Sequence, residues 1–153
     1  MNIIGIDPGI SGGIAVIYDG GEATAFAMPD TDTGVLDILR DVTRTVGWTV
    51  GWCVVYIEKV NPQPKNGARG NFTFGRSVGA LRMAVAACGI PMHEVTPQRW
   101  QASFGLPSAT KAGSNTAKKN AHKRKAQEMF PGIRMTHAIA DALLIAEWGR
   151  RQP

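Results

Sequence analysis

The stretch NIIGIDPGISGGIAVIYDGGEATAFAM, residues 2–28, decides the fold. Asn2–Asp7 is short, apolar and rich in β-branched residues, and Pro8-Gly9 ends it, which is the signature of a buried strand. Gly13 to Tyr18 and Ala23 to Met28 read as two further strands. Asp19-Gly20-Gly21 between them supplies a hairpin turn. Working outward, Val35, Leu36, Ile38, Leu39, Val42 and Val46 recur at helical spacing after the capping residues Thr31 and Asp32. Trp52 to Ile57 is a continuous apolar run that stops at Glu58, as a central buried strand does.

The second half is mostly helical. VNPQPKNGARG, residues 60–70, reads as loop, with two prolines, two glycines and no periodicity. Phe74, Val78, Leu81 and Val85 mark one face of a long helix ending near Gly89. Pro91 to Val95 reads as a fifth strand, and Thr96-Pro97 opens a short helix with threonine as cap and proline at the first helical position. Residues 105–117 read as loop, a basic helix follows to about Phe130, and a last helix runs from about Thr136 to Arg150. The expectation is a single α/β domain over residues 1–153, a mixed sheet flanked by helices. The ribonuclease-H-like fold and one half of the actin-like ATPases share this order of elements, and order alone does not choose between them.

Composition narrows the class. With 153 residues, 44% of them hydrophobic and 19% charged, the chain suits one globular domain. No apolar run approaches the ~20 residues of a membrane helix, and the start lacks a positively charged leader, so neither a membrane nor a secreted protein is expected. Cys53 and Cys88 are too few for a disulfide framework or a zinc site. The charge is unevenly spread. Residues 1–58 hold eight acids against Arg40 and Arg44, whereas residues 59–153 hold fifteen lysines and arginines against four acids. No acid occurs from Lys59 to His93 or from Leu106 to Gln127. Such stretches suit a polyanion partner.

Three carboxylates stand where charge is costly. Asp7 and Glu58 end the first and central strands, each after an apolar run. Asp141 lies in HAIADALLIAEW, where Leu144, Ile145 and Trp148 place it on the apolar stripe, with His137 one turn earlier. Singly, each has an ordinary explanation: Asp7 as a turn residue, Glu58 as a strand end or partner of Lys59, Asp141 as a partner of loop backbone, His137 as a helix-start or core histidine. Jointly, acids at convergent ends would repel unless a cation joins them. Oxygen ligands with an imidazole suit Mg²⁺ or Mn²⁺, and two such ions ~3.5–4 Å apart form a standard device for phosphodiester cleavage.

Five segments in order, IIGIDPGISGGIAVI, VVYIEKV, FTFGRSVGAL, VTPQRW and HAIADALLIA, resemble the RuvC-type Holliday-junction resolvases, in particular the compact forms encoded by phages. IGIDPG alone also resembles the phosphate loops of actin-like ATPases and sugar kinases, but chain length argues against their paired-domain clamp. The resemblance implies a ribonuclease-H-like fold, a homodimer, and Mg²⁺- or Mn²⁺-dependent nicking of two symmetric strands in four-way DNA, in the cytoplasm of a bacterial host. It assigns Asp7, Glu58 and Asp141 to the metals. Many relatives carry an acid where this chain has Ala138, and His137 is the natural substitute as fourth ligand. Lys59, Lys65, Arg69 and Arg76, and then Lys111, Lys118, Lys119, Lys123, Arg124 and Lys125, are expected to meet DNA phosphates. Some relatives wedge an aromatic into the junction just after the glutamate; here Val60-Asn61-Pro62 occupies that stretch, so Phe72 or Phe74 is left to serve, with Phe74 better explained by core packing. Trp100 is expected to pack the short helix rather than a base. The alternatives are a related nuclease for branched DNA or RNA, and a junction-binding protein without catalysis.

Overall fold

The computed structural model describes residues 1–45, 52–107 and 113–153; Val46 of the first helical pattern and Lys111 lie outside them. Strands β1 (Asn2–Asp7), β2 (Gly13–Ile17) and β3 (Ala23–Ala27) precede helix α1 (Asp32–Thr45) and strand β4 (Cys53–Glu58). A 3₁₀ turn at Pro64–Asn66 leads into α2 (Gly67–Ala87), and then come β5 (Met92–Val95), α3 (Pro97–Ser103), α4 (Asn115–Met129) and α5 (His137–Arg150). The sheet order is β3-β2-β1-β4-β5. β1, β2 and β3 pair antiparallel, whereas β4 lies parallel to both β1 and β5. The expected mixed sheet is present, with short shifts at strand ends. Among the described residues no helix is long and apolar enough to cross a membrane.

The strand period of two splits the core between the faces of the sheet. Ile4, Ile6, Ile14, Val16, Val55 and Ile57 pack under α1 and α2 with Leu39, Leu81 and Val85. Ile3, Ala15, Ile17 and Val54 face the other way, against α3, α4 and α5 with Trp100, Ala126 and Leu143. By the same alternation Asp7 and Glu58 turn toward the α5 face. Thr31 does cap α1, its hydroxyl accepting from Gly34 N at 3.1 Å. Thr96, in contrast, makes no side-chain cap bond to α3.

Helix α2 begins earlier than its sequence suggests. Gly67, Gly70 and Asn71 belong to the helix, so the connection after Glu58 shrinks to residues 59–63 and the 3₁₀ turn. Its start is held by Asn71, whose side chain accepts from Gln63 N at 2.9 Å and donates to Gln63 O at 3.0 Å. Tertiary bonding here outweighs the weak helix propensity of glycine and asparagine. Phe72 therefore stands on the helix, 76% exposed.

Helix α5 is more deeply placed than an amphipathic stripe implies: Ile139, Ala140 and every residue from Ala142 to Gly149 are buried. It lies directly on the sheet at Gly5. A Cβ there would overlap the carbonyl oxygen of Ala142 and the amide nitrogen of Ala146, and one on Gly13 would stand 2.6 Å from the Ala138 oxygen. At the far end, buried Glu147 accepts from Arg150 Nε at 2.6 Å and Arg151 Nε at 2.8 Å. Burial alone would raise its carboxyl, but the two guanidinium groups outweigh it and hold it below the usual range.

The obstacle at Gly5 is backbone, which cannot rotate away. Gly5→Ala is expected to lower stability by about 1–3 kcal/mol. The control Gly20→Ala, in open space, should change it by less than about 0.5 kcal/mol. Thermal or urea denaturation of both variants measures the contrast, and equal midpoints would show that α5 does not rest on this glycine.

Candidate active site

The parallel pairing of β1 with β4 sets Ile6 opposite Ile57, so the next residues, Asp7 and Glu58, emerge side by side at one end of the sheet. Gly12 keeps the following turn tight: a Cβ there would overlap the Asp7 carbonyl and stand 3.1 Å from its carboxyl carbon. From across this end, α5 contributes Asp141, 26% exposed. The three acids share one electrostatic field. Burial first, then the charges of Asp141 and Glu58, push the Asp7 carboxyl well above the usual range, while Lys119 and Lys118 pull it part of the way back. Glu58 is raised by burial; the Trp100 hydrogen bond opposes this, Asp141 adds to it, and Lys118 and His122 lower it again.

Two aromatic side chains hold the acids from below. Trp100 Nε1 donates to Glu58 Oε2 at 2.8 Å, and His122 Nδ1 lies 2.8 Å from Asp141 Oδ1. Neither bond is legible in the sequence. Trp100 does pack α3, but its indole also reaches an acid forty-two residues away. His122 sits in a helix of lysines; the available signal is its spacing to Ala126 and Met129, a narrow inward stripe on an otherwise polar helix. His137 is the first residue of α5, exposed, with Nε2 3.0 Å from Asn120 Oδ1. It shares the helix with Asp141, yet the imidazole paired with Asp141 is that of His122.

Beside Glu58 opens a cleft of about 510 Å³, lined among others by Lys59, Asn61, Gln63, Phe74 and Gln98. Phe74 is thus a half-buried wall of this cleft and not the core residue its spacing suggests. Lys59, Lys65, Arg69 and Arg76 are exposed on the connection and on α2. On α4, Lys119 and Arg124 are exposed and Lys118, Lys123 and Lys125 half-buried, Lys125 lying 3.4 Å from Glu128. Lys118 is set apart from the rest, because its charge reaches both Asp7 and Glu58.

Among the described residues no three His, Cys, Asp or Glu side chains form a ready-made metal cluster. The donor set nevertheless fits a hard dication: three carboxylates offer only oxygen, and the charge of Asp141 pushes both Asp7 and Glu58 upward, a repulsion that a cation would relieve.

A five-stranded mixed sheet with α-helices on both faces, and acids ending its two central parallel strands, defines a ribonuclease-H-like architecture. The chain shares it with solved structures of RuvC. "T. thermophilus RuvC in complex with Holliday junction substrate" superposes with a TM-score of 0.62 at 17% identity, covering 95% of this chain and 90% of that one. A second T. thermophilus RuvC structure gives 0.56 at 19% identity, over 95% and 91%. The yeast mitochondrial Holliday junction resolvase Ydc2 gives 0.44 at 12%, over 97% and 78%. No family model and no curated protein matches the sequence.

Since Asp7 has a raised carboxyl in the folded state, its contribution to stability is full at pH below its unfolded value and is lost as pH rises through the folded one. Asp7→Asn should therefore raise the thermal midpoint by a few degrees in metal-free neutral buffer, and the gain should fade on acidification toward pH 3. Mn²⁺ should raise the midpoint of the wild type and leave that of Asp7→Asn nearly unchanged. Scanning calorimetry with and without Mn²⁺ tests both; a variant less stable than wild type at neutral pH would contradict the electrostatic account.

Proposed function

We propose that this chain is a structure-selective DNA endonuclease that resolves four-way (Holliday) junctions by metal-dependent, symmetric nicking. The observation that carries the reading is the meeting of Asp7, Glu58 and Asp141 at one end of a RuvC-type sheet, with Lys118 beside them. The junction substrate bound to T. thermophilus RuvC supports the substrate class. In this reading the whole chain works as one nuclease domain, in the cytoplasm of a bacterial or phage-infected cell.

Asp7, Glu58 and Asp141 hold Mg²⁺ or Mn²⁺, two ions per site, and His137 joins them by exchanging its bond to Asn120. The ions, when bound, acidify the attacking water and offset charge on the leaving 3′ oxygen. The protein does the rest by placement. Glu58 and Asp141 are each held at one oxygen, which fixes their direction. Lys118 and Lys119 balance the acids and draw the scissile phosphate inward. Lys59, Lys65, Arg69 and Arg76 bind phosphates around the cleft, Lys123, Arg124 and Lys125 extend that basic track, and Lys111 adds a further phosphate contact, so affinity falls steeply with salt. Exposed Phe72 is the aromatic suited to wedge the junction centre. Two like strands must be cut, so two copies work together, meeting through the face of α2 that carries exposed Met83.

Asp7→Asn, Glu58→Gln and Asp141→Asn are each expected to slow single-turnover nicking of a labelled four-way junction by roughly 100-fold or more, with junction affinity held within a few-fold. Plain duplex should remain uncut by the wild type. A wild-type rate in any of the three variants would falsify that residue's place in the site. His137→Ala should slow nicking without moving the thermal midpoint, because the side chain is exposed, and His137→Asp should restore part of the rate. Undiminished turnover in His137→Ala removes it from the ligand set.

A further inference from the structure

Below the acids lies a pair of buried rings. Trp100 of α3 is fully enclosed and His122 of α4 is 1% exposed; they meet edge to face, ring centroids 5.2 Å apart and planes at 71°. Each serves a different acid, Trp100 bonding Glu58 and His122 bonding Asp141. An ionised carboxylate only accepts, so the imidazole nitrogen facing Asp141 carries the proton. The other nitrogen, Nε2, is buried with no hydrogen-bond partner among the described residues. An orphaned polar atom costs stability, and an apolar side chain in this space would not carry that cost. Packing therefore does not account for a histidine here, whereas the bond to Asp141 does.

We infer that Trp100 and His122 form one positioning clamp for the metal-binding acids. The rings brace each other, and their N–H groups fix one oxygen of Glu58 and one of Asp141, leaving the second oxygen of each for a divalent cation. The clamp joins four segments distant in sequence: α3 and α4, which bear the donors, and β4 and α5, which bear the acids. Held this way, the acids need no reordering when the cation binds, and their repulsion is partly offset before it arrives. The inference rests on the metal-dependent reading of the site.

The test is Mn²⁺ binding by the full chain without DNA, followed by the paramagnetic resonance of free Mn²⁺, beside thermal midpoints and junction nicking. His122→Phe keeps the ring and loses the donor; His122→Asn keeps a donor near the Nδ1 position and loses the ring. A clamp predicts Mn²⁺ affinity roughly 10–100-fold weaker in His122→Phe, and within roughly threefold of wild type in His122→Asn. His122→Asn should also melt lower than wild type, because the smaller side chain leaves part of the ring's space empty. A role in packing alone predicts the reverse order of affinities, and that order overturns the clamp. Trp100→Phe removes the other donor, and a folded Trp100→Phe protein with wild-type Mn²⁺ affinity overturns it too, even if His122→Phe does not fold. Wild-type protein that binds no Mn²⁺ overturns the metal reading and the clamp together. Wild-type protein that binds Mn²⁺ but leaves junctions uncut overturns only the nuclease reading, and the variant affinities still decide the clamp.

Discussion

The close approach of α5 to β1 is the constraint from which the rest follows. Without a Cβ at Gly5, the backbone of Ala142 and Ala146 reaches the strand directly, and the helix sits lower on the sheet than larger side chains would allow. That depth buries almost the whole of α5 and delivers Asp141 to the end of the sheet where Asp7 and Glu58 emerge. Larger residues at these contacts would raise the helix and carry Asp141 away from its partners. Packing and chemistry are here the same contact.

Charge is then distributed to make such a site tolerable. Two acids, Asp7 and Glu58, are pushed toward their neutral forms by burial and by the charge of Asp141, and the chain answers with two kinds of compensation. Near at hand, Trp100 and His122 donate hydrogen bonds. Farther out, Lys118 and Lys119 supply positive charge from α4, the helix that also carries His122. The excess of basic residues after Glu58 therefore includes a specific counter-charge for the acids, supplied by Lys118 and Lys119.

Much of this was legible in the sequence where the signal is local. Apolar runs ending in a charge gave β1, β4 and, with them, Asp7 and Glu58; helical spacing gave Asp141. What escaped depends on residues far apart in the chain. The Trp100–Glu58 and His122–Asp141 bonds have no sequence pattern, since each joins separate elements. The start of α2 was hidden because Gly67, Gly70 and Asn71 read as loop, and only the Asn71–Gln63 pair of hydrogen bonds explains why they are helix. Phe74 followed the right helical face, but that face runs off the core into the cleft before Leu81 reaches it.

The Gly5 contact also bears on how far such a sequence can drift. Where a helix touches a strand through main-chain atoms and small residues, the larger side chains elsewhere on the helix are released from specifying that approach. They need only fill space, and many combinations do so. Exchanges of one apolar side chain for another there are expected to leave the helix at the same depth, and Asp141 with it.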